Sequence, residues 1–252
     1  MSNYIKAGVS CDASHDNTIN KRLKFIFDYL EHPKELNVLD IGSGLGMYSK
    51  YLSPHVKQYV GVDTNKEYVD KAKKENRNSN VEFHLMSADK LSFENSSFDV
   101  VLMIEVLEHV VDDKKTIVEI NRVLKTGGKF IVTAPNKLFP FETHGLRIGN
   151  KIYGSSGFGF PFIPWLPEFL RRYLANAKVY TPHGLKTILV RNGFLICNTN
   201  FIGPSLDVLS NKFPRLGFIT ENIIHIFNKV ENIPLINNTL TTIIVMSKKV
   251  EK

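Results

Sequence analysis

Apolar residues along the chain change their period in a regular alternation. From Thr18 to Leu30, the residues Ile19, Leu23, Ile26, Phe27 and Leu30 recur at three- and four-residue steps, the spacing of an amphipathic helix that Asp16 or Asn17 is placed to cap. Asn37 to Ile41 (NVLDI) is instead a short continuous apolar run, a buried strand closed by glycines, with a helical stretch from Met47 to Leu52 behind it. Gln58 to Val62 (QYVGV) repeats the strand pattern and ends on Asp63, and a charged helix from Asn65 to Asn76 follows. Val81 to Leu85 and Phe98 to Ile104 predict a third and a fourth strand. Val106 to Leu124 reads as a helix that stops at Thr126, Gly127 and Gly128, and Lys129 to Thr133 reads as a fifth strand.

Strand and helix alternating at this spacing predict parallel βαβ units in an open, doubly wound α/β sheet. The pattern breaks from Pro135 to about Tyr180 into a Gly, Pro and aromatic-rich insertion too long for a turn. After it, Pro182 to Asn192 reads as a helix, and Phe194 to Thr199 and Thr239 to Met246 as strands. A second insertion, Gly203 to Asn238, carries a helical stretch from Ile219 to Val230. The expectation is a single domain over residues 1–252, with insertions 135–180 and 203–238 forming a cap.

Composition narrows the class. With 252 residues, 43% hydrophobic and 23% charged, the chain buries a full core. No apolar run approaches the ~18–20 residues that span a bilayer, and the N-terminus lacks a signal-peptide pattern, so a soluble, cytoplasmic protein is expected. Cys11 and Cys197 have no metal-type spacing and read as free thiols. The net charge of +7 suits an anionic partner, but the lysines are scattered and read first as a solvated face.

The chemistry begins at VLDIGSGLG. Gly42, Gly44 and Gly46 follow a strand and precede a helix, where glycine permits a sharp turn and close approach to a ligand. A dinucleotide fingerprint wants G-x-G-x-x-G; here the spacing is G-x-G-x-G with Asp40 ahead of it, an acid that a pyrophosphate disfavours and a cationic amino-acid moiety does not. Asp63, ending the second strand, is placed to accept from two ribose hydroxyls, against the simpler alternative of a cap for the helix that follows. Together the two acids favour a ligand carrying a ribose and a positive charge.

With YVGVD, SADKLSF followed by SFDVV, IEVLEHV and LKTGGKFIVTAPN in order after the glycine loop, the chain resembles the class I S-adenosylmethionine-dependent methyltransferases. It resembles in particular the small-molecule group with the ubiquinone-pathway O-methyltransferases. The resemblance implies a Rossmann-like sheet, mostly parallel with an antiparallel last strand, and S-adenosylmethionine as cofactor, leaving as S-adenosylhomocysteine. It assigns Asp40, Gly42 and Gly44 to the methionine part, Asp63 to the ribose, Ser87, Ala88 and Asp89 to the adenine, and Glu105 to the mouth of the fourth strand. Many relatives carry Asp where this chain has Ser87, which leaves the adenine amino group to Asp89 or to backbone.

Methyl transfer from a sulfonium is an in-line displacement with a neutral leaving group, so the protein mainly aligns the reactants and excludes water. A hydroxyl acceptor also needs a base or a metal ion. On a helix, Glu105, Glu108 and His109 share one face, and in some relatives a matching E-x-x-E-H run binds a divalent metal; His144, in FETHG after the fifth strand, is a candidate fourth ligand or base. The alternatives are His109 or His144 as a metal-free base, or structural roles. The insertions, with Phe139, Phe141, Phe158, Phe160, Phe162, Trp165 and Phe169 in the first and Phe213, Phe218 and Phe227 in the second, suit a small hydrophobic or lipid-linked acceptor, methylated at oxygen, or peripheral membrane contact. The bland reading is packing, or a homodimer face. A glycan or nucleotide-sugar acceptor and a non-catalytic cofactor-binding module stay open, and nucleic acid is disfavoured for want of a dense basic stripe.

Overall fold

The computed structural model describes residues 17–148, 151–153, 160–203 and 238–251. In chain order the elements are α1 (Asn17–Tyr29), β1 (Asn37–Ile41), α2 (Met47–Leu52), β2 (Gln58–Asp63), α3 (Lys66–Glu75), β3 (Val81–Leu85), β4 (Phe98–Met103), α4 (Asp113–Val123), β5 (Leu124–Pro135), β6 (Phe141–Glu142), β7 (Leu146–Ile148), β8 (Lys151–Tyr153), β9 (Phe160–Pro161), α5 (Glu168–Leu174), α6 (Pro182–Arg191), β10 (Phe194–Ile202) and β11 (Thr242–Lys249). They group into two compact units, one of Tyr29–Ala134, His183–Thr199 and Ile244–Lys252, the other of Met1–Asp28, Pro135–Pro182 and Asn200–Ile243.

The seven-stranded sheet runs β10-β11-β5-β4-β1-β2-β3. Its central strands pair in parallel, Asp40 opposite Gly61 and Leu102, and Val62 opposite His84. β11 runs the other way: Asn136 N–H donates to the Thr241 carbonyl while the Ser247 hydroxyl donates to the Phe130 carbonyl, so one strand climbs as the other descends. The strands are continuous apolar runs because helices cover both faces of a parallel sheet; Leu39, Val101, Leu102, Met103, Phe130, Ile131 and Val132 are fully buried.

Helices α2, α3 and α6 sit within a residue of where the periodicity puts them. α3 starts on Asn65, whose side chain accepts from the Glu67 and Tyr68 amides. The predicted helix from Val106 to Leu124 is shorter than expected. α4 begins only at Asp113, because the Asp112 carboxylate caps it by accepting from the Lys115 amide, and the preceding Leu107–His109 forms a single 3-10 turn. β5 is longer than expected. It starts at Leu124 and absorbs the glycine pair in a bulge, since Phe98 pairs with Leu124 but Val100 with Lys129. A Cβ on Gly128 would stand 2.7 Å from the Lys125 carbonyl oxygen, which explains why glycine reads as a stop yet lies inside a strand. Asp16, Cys11, Phe158 and the predicted helix over 219–230 lie outside the described residues. No helix among the described residues is long and apolar enough to cross a membrane.

In the second unit, short antiparallel pairs β6/β9 and β7/β8 accompany α5. Phe139 is buried there with its ring 5.6 Å from Phe141. In the sheet unit, Phe130 and Phe194 pack 5.3 Å apart, both nearly inaccessible. Phe130→Ala should therefore cost roughly 3–5 kcal/mol, read as a fall in the denaturant midpoint at unchanged slope.

Candidate functional site

The glycine loop takes its shape from β2. The amides of Gly42 and Ser43 both donate to the Val62 carbonyl, at 2.8 and 3.0 Å, and the Gly44 amide donates to Asp63 Oδ2 at 2.9 Å. Three successive N–H groups are thus consumed by the end of the neighbouring strand. Gly42 has φ of +72°, and a Cβ there would come within 2.3 Å of a Val106 methyl, so both the turn and the close approach demand glycine. A loop whose amides point back at its own sheet offers no cradle for a phosphate, unlike the glycine loops of dinucleotide folds.

A cavity of about 630 Å³ opens beside this loop, lined by Gly42, Gly44, Asp63, Ser87, Ala88, Asp89, Glu105 and His109 together with Thr64, Tyr68, Met86, Val106 and Val110 to Asp112. Its volume is in the range of small-molecule sites. Asp63 has one carboxylate oxygen on the Gly44 amide and the other on the Asn65 amide at 2.8 Å. The cap of α3 is therefore Asn65, and Asp63 keeps lone pairs on both oxygens directed at its surroundings.

Across the cavity the Ser87 hydroxyl donates to Asp89 Oδ1 at 2.5 Å and the Lys115 ammonium to Oδ2 at 2.9 Å. These two partners, Ser87 first and Lys115 second, hold the Asp89 carboxyl well below the usual carboxylate range. Ala88 is buried between them in sequence. Glu105 adopts φ of +57°, costly for a residue with a Cβ. Thr133 fixes it there: its hydroxyl accepts from the Glu105 amide and donates to Glu105 Oε1, both at 2.8 Å.

Two expectations change. Glu105, Glu108 and His109 do not share a helix face, because Glu105 is left-handed and the 3-10 turn begins only at Leu107; Glu108 is buried while His109 is exposed at the cavity. Asp40 does not line the cavity at all. It is 2% exposed, and its carboxylate accepts from the hydroxyl of Tyr59, a residue that the sequence analysis passed over although a tyrosine in a fully buried strand needs a partner for its O–H. His144 belongs to the other unit, where its amide donates to the buried Glu142 carboxylate at 2.8 Å and its ring stands 3.3 Å from the Thr143 hydroxyl.

The family model described as a methyltransferase domain matches residues 39–132. An uncharacterized methyltransferase, YcgJ, of Bacillus subtilis is 38% identical over 101 residues, 39% of this chain and 40% of that protein. A ubiquinone biosynthesis O-methyltransferase of Coxiella burnetii is 32% identical over 120 residues, 47% of this chain and 51% of that one. The chain thus spans about half the length of these curated relatives, or less. In fold, an S-adenosylmethionine-dependent methyltransferase from Mesorhizobium loti superposes with a TM-score of 0.60 at 18% identity, over 90% of this chain and 96% of that one.

Burial raises the Asp40 carboxyl from its ordinary 3.8 to about 7, against the opposing hydrogen bond from Tyr59 and with a further push from Asp63. Between those two values the folded protein keeps a proton that the unfolded chain has released, so stability falls as pH rises across that window. Asp40→Asn removes the effect. In cofactor-free protein, the melting point of the variant relative to the parent should climb from pH 4 to pH 7 and then level off; a constant difference contradicts this reading. The matched domain over residues 39–132, the sheet order and the fold together make the chain similar to the S-adenosylmethionine-dependent methyltransferases.

Proposed function

We propose that the protein transfers the methyl group of S-adenosylmethionine to a small, apolar or lipid-linked acceptor, at oxygen. The observation that carries this reading is the cavity in which Asp63 faces a glycine loop with its amides already spent. A carboxylate has about four lone-pair sites; with one on each oxygen used by backbone, Asp63 has one left on each for the two hydroxyls of a ribose. Ala88 and Met86 offer apolar surface to a base, and Asp89, kept ionised and oriented by Ser87 and Lys115, is an acceptor for an exocyclic amino group. Asp40 and Tyr59 act from behind the loop, holding its base against β2.

The bound cofactor supplies a methyl on a positively charged sulfur, which leaves as a neutral thioether. The chain aligns the acceptor with that methyl and keeps water out. His109, exposed at the cavity, is the group we assign to take the acceptor's proton. Glu105, locked by Thr133, sets the edge of the methyl-donor region. Oxygen as the methylated atom follows the O-methyltransferase relative, and we assign the choice of an apolar acceptor to the aromatic insertions 135–180 and 203–238.

A labelled-methyl transfer screen tests the acceptor. Quinones and polyprenyl lipids should react ahead of sugars and RNA, and the reverse order overturns that half of the reading. Asp63→Ala should weaken the cofactor's apparent affinity roughly 10- to 100-fold, the loss of one or two hydrogen bonds to a charged group at about 1.4 kcal/mol per tenfold; an unchanged value removes Asp63 from the site. The metal reading of Glu105, Glu108 and His109 requires the rate to fall on chelation and to return with magnesium, manganese or zinc. An undiminished rate in chelated protein retires it.

A further inference from the structure

Aromatic side chains in the second unit fall into two groups. Phe139 is spent on packing. Phe162, Trp165, Phe169 and Tyr173 are not: they are 60%, 53%, 61% and 66% exposed, with Leu170 beside them at 43%. Phe162 and Trp165 bracket the 3-10 turn Ile163–Trp165 with their rings 5.5 Å apart, and Phe169 and Tyr173, four residues apart, share one side of α5.

The stripe is held outward. Arg171, on another side of α5, is buried; it is bidentate to Glu168, with bonds of 2.7 and 3.1 Å, and donates to the Ala177 carbonyl at 2.8 Å. Turning α5 to bury its aromatics would break up a buried guanidinium network, a costly change. The bridge from Leu146 to Ala175 and the bond from Arg147 to Asn176 tie the β7/β8 hairpin, with Ile148, Ile152 and Tyr153 also exposed, to the end of the same helix.

Charge selects the occupant. From Lys137 to Lys178 the described residues include six Lys or Arg and two Glu. Both glutamates are engaged, Glu168 by Arg171 and Glu142 by the His144 amide. The Arg172 guanidinium lies over the Tyr173 ring at 5.0 Å, so a cation is built into the stripe itself. A second copy of the chain would bring like charges face to face. We propose that this stripe docks on the surface of an anionic membrane, with Trp165, Phe162, Phe169 and Tyr173 at headgroup depth and Arg172 and its neighbours on lipid phosphates.

The proposal does not depend on the methyl-transfer reading, because lipid binding is measured without cofactor or acceptor. Trp165 is the chain's single tryptophan and reports from within the stripe. Full-length protein titrated with phosphatidylcholine vesicles containing phosphatidylglycerol should show a blue shift of Trp165 emission, protection from acrylamide quenching and co-sedimentation, all weakened by salt. Pure phosphatidylcholine vesicles should give little of this. Phe169→Ser with Tyr173→Ser should reduce partitioning at least about tenfold, and Arg172→Glu should reduce it on anionic vesicles, with melting points by circular dichroism confirming that both variants are folded. Unmoved emission with protein left in the supernatant overturns the proposal, as does a concentration-dependent shift without vesicles, which marks self-association instead.

Discussion

The amides of Gly42, Ser43 and Gly44 have to be satisfied somewhere, and the chain satisfies them on the end of β2: two on the Val62 carbonyl and one on the Asp63 carboxylate. Much of the site follows from that choice. The loop must bend back through a positive φ at Gly42, which brings Val106 down onto a position where no side chain fits. Asp63 is fixed at the cavity wall by backbone on both oxygens, so it meets a ligand already oriented. A phosphate finds the amides of Gly42, Ser43 and Gly44 already taken. The same G-x-G start that cradles a pyrophosphate in dinucleotide folds here has its amides turned back onto β2, with the Asp63 carboxylate facing the cavity beside it.

Glu105 and Asp89 at the cavity, and Asp40 beneath it, are each held in the same way by a residue from a different element. Thr133 on β5 keeps Glu105 in a backbone conformation that it would otherwise leave. Lys115 on α4 and Ser87 hold Asp89. Tyr59 on β2 holds Asp40 on β1, a buried cross-strand pair beneath the glycines. Such an arrangement suits a reaction in which alignment counts for more than proton transfer, since the restraint is present before any ligand arrives.

Strand positions and most helices were legible because continuous apolar runs and three-four spacing are direct consequences of burial on two faces or one. The end of α4 was legible; its start was not, because Val106 to Val111 is apolar enough to continue a helix and only the Asp112 cap excludes it. The bulge in β5 was hidden because glycine signals a turn more often than a strand irregularity. For the site, Gly42, Gly44, Asp63, Ser87, Ala88, Asp89, Glu105 and His109 reach the cavity, whereas Asp40, Gly46 and Glu108 do not line it, because a position in a motif says nothing about which way a side chain points. Tyr59, Thr133 and Lys115 carried no motif, and only pairing across strands and helices brings them to their acids. Among the aromatics, the sequence could not separate Phe139, which packs, from Trp165 and Phe169, which face outward; that division depends on Arg171 fixing α5.

The central claim is that a glycine loop with its amides consumed by β2 selects a sulfonium nucleoside over a phosphate-bearing dinucleotide. Isothermal calorimetry with S-adenosylmethionine, S-adenosylhomocysteine and NAD on the same preparation tests it most directly. The account predicts binding of both adenosyl ligands below millimolar concentration and none of NAD. Binding of NAD, or the absence of binding by both adenosyl ligands, contradicts it.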